Sequence, residues 1–165
     1  MTDFPYASDI AAGDVREAHN VLAGEPGIGP GLTCRWPSDR APAGFVLFCH
    51  GLGSNGREYA DLARHWARHG YLVIQPTFAD AVGRVARDES ELGLDPDADL
   101  SGWTQVPAVR ARMHEILHAP EHWLERIATA TCVMDRLDKV LEATAGRPER
   151  RLPGAVAGHS FGAYT

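Results

Sequence analysis

The stretch GFVLFCHGLGSNG, residues 44–56, decides how the chain folds. Its first half, Gly44 to Cys49, is a continuous apolar run, which is typical of a strand covered on both faces of a sheet. Three glycines then follow within seven residues, at positions 51, 53 and 56. So many glycines in one turn indicate a backbone that bends sharply or approaches another group closely. We therefore expect a buried strand that ends in a tight glycine loop.

Outward from this stretch, the chain alternates between helix and strand patterns. The strand–helix–strand order predicts a parallel unit, and the predicted fold class is α/β, with a mostly parallel sheet and helices on both faces. Further strands are predicted at residues 32–36, 71–75 and 152–157, and helices at residues 57–69, 79–89, 107–118 and 120–145. In the last of these helices, a core-facing stripe is predicted at Trp123, Ile127, Ala130, Met134, Leu137 and Leu141.

The pentapeptide GHSFG, residues 158–162, matches the pattern Gly-x-Ser-x-Gly. A strand pattern precedes it and a helix-compatible segment follows, which is the strand–turn–helix setting of a nucleophile elbow. Such a turn raises Ser160 off the sheet, and crowding there requires small residues at Gly158 and Gly162. A serine hydroxyl is a weak nucleophile until a base removes its proton. The alternative is that Ser160 only caps a helix.

The glycine loop and the pentapeptide can serve one reaction centre. Nucleophile elbows build an oxyanion hole from the N–H of the residue after the serine and an N–H of the loop after an upstream strand. Here these donors are Phe161 and Leu52. The supporting residues of the loop and elbow are His50, Gly51, Gly53, Gly158, His159 and Gly162. We expect His50 to organise the loop and His159 to hydrogen-bond nearby, neither being the base; a plain glycine turn is the alternative.

These motifs resemble those of the α/β-hydrolase superfamily. More narrowly, residues 48–55, 65–77, 122–126, 133–137 and 158–163 are similar to the branch of dienelactone hydrolases and platelet-activating-factor acetylhydrolases. The resemblance implies hydrolysis of a small-molecule carboxylic ester through an acyl-serine intermediate, without a metal or organic cofactor. Polyester hydrolases and chlorophyllases are related to this branch, so the substrate class stays open.

The resemblance also implies a catalytic acid and a histidine. In this fold the triad follows the chain order Ser, then Asp or Glu, then His, and neither type follows Ser160 here. We therefore expect residues 44–165 to be the N-terminal part of one α/β-hydrolase domain, truncated after the elbow. Residues 1–43 are expected to form an edge segment of the same domain. The expected partner is the remaining C-terminal portion, so residues 1–165 alone should be inactive.

A rival motif, HEILH, occupies residues 114–118. It matches His-Glu-x-x-His, in which two histidines on one helix face bind zinc and the glutamate acts as base. One alternative function is thus a zinc metalloprotease that uses His114, Glu115 and His118; a non-catalytic α/β-hydrolase-fold binding protein is another. His122 follows, but Pro120 interrupts the helix before it. We favour the serine site, since the strand–helix layout already accounts for it, and predict no metal.

The composition argues against several other classes. The formal net charge of −6 and the absence of a Lys/Arg-rich block argue against nucleic-acid binding. No stretch approaches the roughly 18 apolar residues of a membrane helix, and the start of the chain lacks a signal-peptide pattern. Cys34, Cys49 and Cys132 are an odd, sparse set rather than a disulfide framework. We expect a cytoplasmic protein that binds neither nucleic acid nor membrane.

Overall fold

Five strands form one mixed sheet in the order β1-β2-β4-β3-β5. The computed structural model describes residues 13–147 and 151–165. The strands are β1 Val15–Val21, β2 Leu32–Pro37, β3 Gly44–Cys49, β4 Tyr71–Pro76 and β5 Gly154–Gly158. The fold class is α/β as predicted, and β3 coincides with the apolar run.

The prediction of a mostly parallel sheet is wrong, because only two of the four strand pairings are parallel. β3 pairs in parallel with β4 and β5, whereas β1–β2 and β2–β4 are antiparallel. The connection from β1 to β2 contains turns but no helix, and a parallel return would need a longer crossover. Residues 13–43 thus add an antiparallel pair at one edge; residues 1–12 lie outside the described residues.

Helices cover both faces of the sheet. They are α1 Ala60–Arg68, α2 Val82–Asp88, α3 Pro107–His118, α4 Pro120–Asp135 and α5 Leu137–Ala143, with 3₁₀ helices at Ser90–Leu92, Trp103–Gln105 and Ser160–Tyr164. Successive strand residues point to opposite faces. Accordingly, Phe48 packs with Ala63 of α1, and Leu47 shares a cluster with Val133 of α4. None of the described helices is both long and apolar enough to span a membrane.

The long helix predicted over residues 120–145 is in fact two helices. Between α4 and α5, Arg136 leaves helical geometry, with φ −109° and ψ 18°. Its guanidinium folds back onto the carbonyl oxygen of Cys132 at 3.3 Å. The apolar spacing continues across this break, so the sequence pattern did not reveal it.

The predicted core-facing stripe of this segment is wrong in part. Leu141 is buried and Ala130 and Leu137 are partly buried, but Trp123, Ile127 and Met134 are exposed. The buried residues of α4 are instead Arg126 and Val133. The helix can turn this face inward because Arg126 has a buried carboxylate partner, Asp80.

A further layer covers the carboxyl ends of the strands. Its buried residues come from α2 and α3 and are Val82, Val85, Val109, Met113 and Ile116. Leu52 of the glycine loop and Trp103 pack against this cluster. The segment between β4 and α4, which showed little pattern in the sequence, therefore forms a wall beside the glycine loop.

Candidate active site

The glycine loop after β3 and the GHSFG turn after β5 meet at one edge of the sheet. β3 and β5 are parallel neighbours, and Cys49 is aligned with Gly158 at their carboxyl ends. The His159 N–H donates to the Cys49 carbonyl oxygen at 3.1 Å, which extends the pairing by one residue. The chain leaves β3 for β4 on one side and returns to β5 on the other. Ligands of open α/β sheets bind at such a switch point.

Ser160 lies on the turn that follows β5. It is exposed and has a φ of +52°, and the 3₁₀ helix Ser160–Tyr164 begins with it. A left-handed backbone conformation costs a non-glycine residue about 1–3 kcal/mol, and such strain clusters at functional sites. The order of strand, strained turn and helix matches the setting that a nucleophile elbow requires. The helix that follows is of the 3₁₀ type and covers only five residues.

Both glycines of the pentapeptide are required by close approach of backbone. A Cβ at Gly162 would lie 2.0 Å from the Cys49 carbonyl oxygen, and one at Gly158 would lie 2.2 Å from the Gly162 carbonyl oxygen. Neither glycine has a positive φ. Crowding, rather than conformational freedom, therefore explains why these positions are glycine. The GHSFG turn lies directly against the end of β3.

The backbone N–H groups of Leu52 and Phe161, the two residues that the sequence proposes as oxyanion donors, have no acceptor within residues 13–147 and 151–165. The same is true of His50 and Ser160 at this edge, so the two loops present several unpaired N–H groups where they meet. Buried backbone N–H groups are normally paired, which makes these donors available to a ligand. The Leu52 side chain packs against the α2–α3 cluster, and the Phe161 ring is buried. Each donor is therefore anchored by its own side chain.

His50 is buried and both of its ring nitrogens are engaged. Nδ1–H donates to the Gly51 carbonyl oxygen at 2.7 Å, and Nε2 accepts from the Phe78 N–H at 3.1 Å. A carbonyl can only accept, so the proton lies on Nδ1 of a neutral ring. Burial lowers the pKa of His50 to about 4, because desolvation disfavours the charged ring. His50 thus holds the loop and has no free nitrogen for proton transfer from Ser160.

Tyr59 links the glycine loop to the elbow. Its Oη lies 2.9 Å from His159 Nδ1 and accepts from the Gly51 N–H at 3.4 Å. Tyr59 precedes α1 and has a φ of +57°. His159 is adjacent to Ser160 in the chain, but its Nδ1 is engaged by this hydroxyl.

The sequence alone did not identify a buried ion pair beneath the site. Arg126 Nε and Nη2 donate to the two carboxylate oxygens of Asp80 at 2.8 and 2.9 Å, and both residues are only 2% exposed. One signal was available: Arg126 precedes Val133 by seven residues and so shares its helix face. A charged residue is normally assigned to the solvent face, which hid this role.

A cavity of about 460 Å³ adjoins the loop, a volume typical of small-molecule sites. Its lining includes Leu52, Gly53, Tyr59, Leu100 and Trp103. Gly53 has a φ of +75°, and a Cβ there would lie 2.8 Å from Trp103 Nε1. The indole therefore packs directly on the loop, and Leu52 belongs both to the cavity wall and to the candidate site.

The HEILH motif lies on α3. His114 and His118 are exposed, with their Nε2 atoms 3.1 Å apart, and Glu115 pairs with Arg112 at 3.1 Å. In the part of the chain that the structure describes, no three His, Cys, Asp or Glu side chains are grouped so that they could hold a metal ion. Catalytic zinc sites use three protein ligands. The described residues do not complete such a site.

Cys49 is another potential nucleophile at this edge, because it ends β3 beside the elbow. It is fully buried, and burial raises the pKa of its thiol to about 11. The thiolate is the reactive form of cysteine, so this thiol stays protonated and inert near neutral pH. Of these two candidate nucleophiles, Ser160 is the exposed one.

The chain matches no protein-family model and no curated protein.

Proposed function

We propose that this protein is a serine hydrolase of the α/β-hydrolase fold that cleaves carboxylic esters through an acyl-serine intermediate. The observation that carries the proposal is the exposed Ser160 with a φ of +52°, on a turn whose glycines lie against the end of β3. The alternative of a helix cap has less support, because the N-cap position is His159 and no side chain caps the helix.

In the proposed reaction, Ser160 Oγ attacks the ester carbonyl carbon while a base takes its proton. The carbonyl oxygen becomes an oxyanion, which accepts hydrogen bonds from the N–H groups of Leu52 and Phe161. The intermediate then breaks its bond to the alcohol oxygen, which leaves with the proton held by the base. Water, deprotonated by the same base, attacks the acyl carbon, and the acid departs as Ser160 regains its proton.

The base is proposed to be a histidine oriented by an Asp or Glu, both following Ser160 in the chain order of this fold. His50 does not fit this role, because both of its nitrogens are engaged, and the partner of His159 Nδ1 is the hydroxyl of Tyr59 rather than a carboxylate. The proposal therefore requires the remaining portion of the hydrolase domain as a partner. It needs no metal or organic cofactor. The three free cysteines agree with a reducing, cytoplasmic setting.

The test is covalent labelling of the intact protein with a fluorophosphonate, together with hydrolysis of p-nitrophenyl butyrate. We expect one label per molecule on Ser160, and we expect Ser160→Ala to lose both labelling and hydrolysis. Ser38→Ala, in the turn after β2, is the matched control and should keep both. Hydrolysis that survives Ser160→Ala but is lost on addition of a chelator would refute the proposal and favour the zinc alternative.

A further inference from the structure

The guanidinium of Arg126 contacts the glycine loop, the loop after β4 and the residue that follows the 3₁₀ helix of the elbow. Two of its nitrogens bind Asp80 in the loop after β4. Nη1 donates to the His50 carbonyl oxygen in the glycine loop at 3.0 Å and to Thr165 Oγ1, beyond the elbow, at 3.2 Å. A side chain that is 2% exposed thus joins segments far apart in the sequence.

The faces of the same guanidinium are covered by aromatic rings. Its central carbon lies 4.3 Å from the ring centroid of Phe78 and 4.4 Å from that of Phe161. Arginine stacks favourably on aromatic faces, and the attraction strengthens when both groups are desolvated. Phe161, which carries one of the two proposed oxyanion donors, is therefore seated on Arg126.

The second proposed donor, the Leu52 N–H, is fixed through a peptide plane. The Gly51 carbonyl and the Leu52 N–H belong to one trans peptide, so they point in opposite directions. The Gly51 carbonyl oxygen accepts from His50 Nδ1 at 2.7 Å, from the Ser54 N–H at 3.2 Å and, at the longer distance of 3.5 Å, from Arg126 Nη2. These donors hold the carbonyl toward the interior and direct the Leu52 N–H the other way.

We propose that Arg126, clamped by Asp80, is a positioning residue that orients both oxyanion donors at once. This inference rests on the proposed function. It acts on Leu52 through the carbonyls of His50 and Gly51, and on Phe161 through the stacked ring. Arginine suits the position because its planar fork can bind a carboxylate with two nitrogens and still donate to a carbonyl. Lysine keeps the charge but lacks that geometry.

The test compares Arg126→Lys with Arg35→Lys in the intact protein. Arg35 is a matched control, because it is also buried and also paired with a carboxylate, Glu17, but lies in β2. kcat and KM for p-nitrophenyl butyrate are measured together with the thermal midpoint. We expect Arg126→Lys to lower kcat about ten- to a hundredfold with KM little changed, since loss of a whole donor costs about 10²–10³. Arg35→Lys should lower the midpoint but keep kcat.

A second variant, Asp80→Asn, keeps the size of the side chain and one acceptor oxygen. It replaces Arg126→Lys in the kinetic test if that variant does not fold. We expect it to lower kcat in the same direction, again without a matching change in KM. A kcat in either folded variant equal to that of Arg35→Lys, while Ser160→Ala is inactive, would overturn the positioning role. Full activity in Ser160→Ala would instead refute the proposed function itself.

Discussion

Arg35 and Arg126 are 1% and 2% exposed, yet they bind different kinds of partner. Arg35 lies in β2 and binds mainly side chains of the neighbouring strands, Glu17 at 3.0 Å and Gln75, with one longer contact to a loop carbonyl oxygen at 3.4 Å. Arg126 lies in α4 and binds, besides a carboxylate, the backbone carbonyl oxygen of His50 at 3.0 Å. The first arginine ties strands together, whereas the second fixes the shape of a loop.

The strand region, formed by β1, β2 and β4, and the glycine loop therefore depend on their arginines to different degrees. β1, β2 and β4 are already joined by ladders of backbone hydrogen bonds, and Glu17 also binds Arg64 at 2.9 Å. The glycine loop has no such ladder, and a glycine-rich backbone has many alternative conformations. Besides the backbone N–H groups of Ser54 and Val82, its orientation comes from side-chain donors, of which Arg126 and His50 are buried.

The largest expected difference is in the unfolding free energy that is lost when each arginine is replaced by alanine. Arg126→Ala leaves Asp80 buried without its partner, and breaking such a pair costs about 3–5 kcal/mol of unfolding free energy. Arg35→Ala should cost less, about 1–3 kcal/mol, because Glu17 is partly exposed and keeps Arg64. Urea unfolding at pH 7 measures both values. An equal or larger loss in Arg35→Ala would show that the two pairs do not differ in this way.

A double variant separates stability from positioning at the same site. Replacing a buried ion pair by apolar residues of similar size is often neutral or stabilising. Arg126→Met combined with Asp80→Leu should therefore recover most of the stability lost in Arg126→Ala. It should not recover kcat, because neither new side chain can donate to the carbonyl of His50. Recovery of both would mean that burial alone matters here.

The two regions should also lose stability in different pH ranges. The pKa of His50 falls from 6.5 to about 4 on folding, because burial disfavours the charged ring. The unfolded chain thus binds the proton first, and about 3 kcal/mol is lost as the pH falls from 6.5 toward 4. His50→Asn should flatten that slope. Unfolding free energies of both proteins across this range provide the measurement, and an unchanged slope would contradict the burial of a neutral ring.

The strand region should respond only at lower pH. Partial burial alone would raise the pKa of Glu17, but the hydrogen bonds and charges of Arg35 and Arg64 bring it below its ordinary value of 4.5. A lowered carboxyl pKa gives stability that is present above pH 4.5 and is lost as the pH falls through the folded pKa. Glu17→Gln should therefore leave the His50 slope intact and change only the more acidic range.

Local sequence patterns predicted four of the five strands but not β1. β3 is buried throughout, and burial on both faces of a sheet leaves a continuous apolar run such as residues 44–49. The strand predicted at residues 152–157 overlaps β5, although β5 is largely exposed. The strand–helix–strand order predicted the parallel pairing of β3 with β4, but not the antiparallel pairings of β2, since an apolar run reads the same whether its neighbour is parallel or antiparallel. The break at Arg136 was missed for a related reason: helical spacing is preserved across it.

The candidate site likewise has one part that local sequence predicts and another part that it does not. The loop at residues 50–53 and the elbow at residues 158–162 are local motifs, so the sequence alone predicts both. The pairing of Arg126 with Asp80 joins residues 46 positions apart, and no local pattern encodes it. The sequence also assigned Trp123 to the core and gave Arg126 no role, because polarity was the only guide.

Two glycines, one in each region, provide the last comparison of stability with activity. A Cβ at Gly162 would lie 2.0 Å from the Cys49 carbonyl oxygen, and one at Gly31, between β1 and β2, would lie 2.7 Å from Asn20 Cα. Alanine at either position should cost about 1–3 kcal/mol through overpacking, and at Gly31 the φ of +103° adds backbone strain. Only Gly162→Ala should also lower kcat, by about 10²-fold, because it pushes Ser160 away from the glycine loop. Unfolding curves and p-nitrophenyl butyrate hydrolysis compare the two variants, and an equal loss of kcat in Gly31→Ala would attribute the effect to general destabilisation instead.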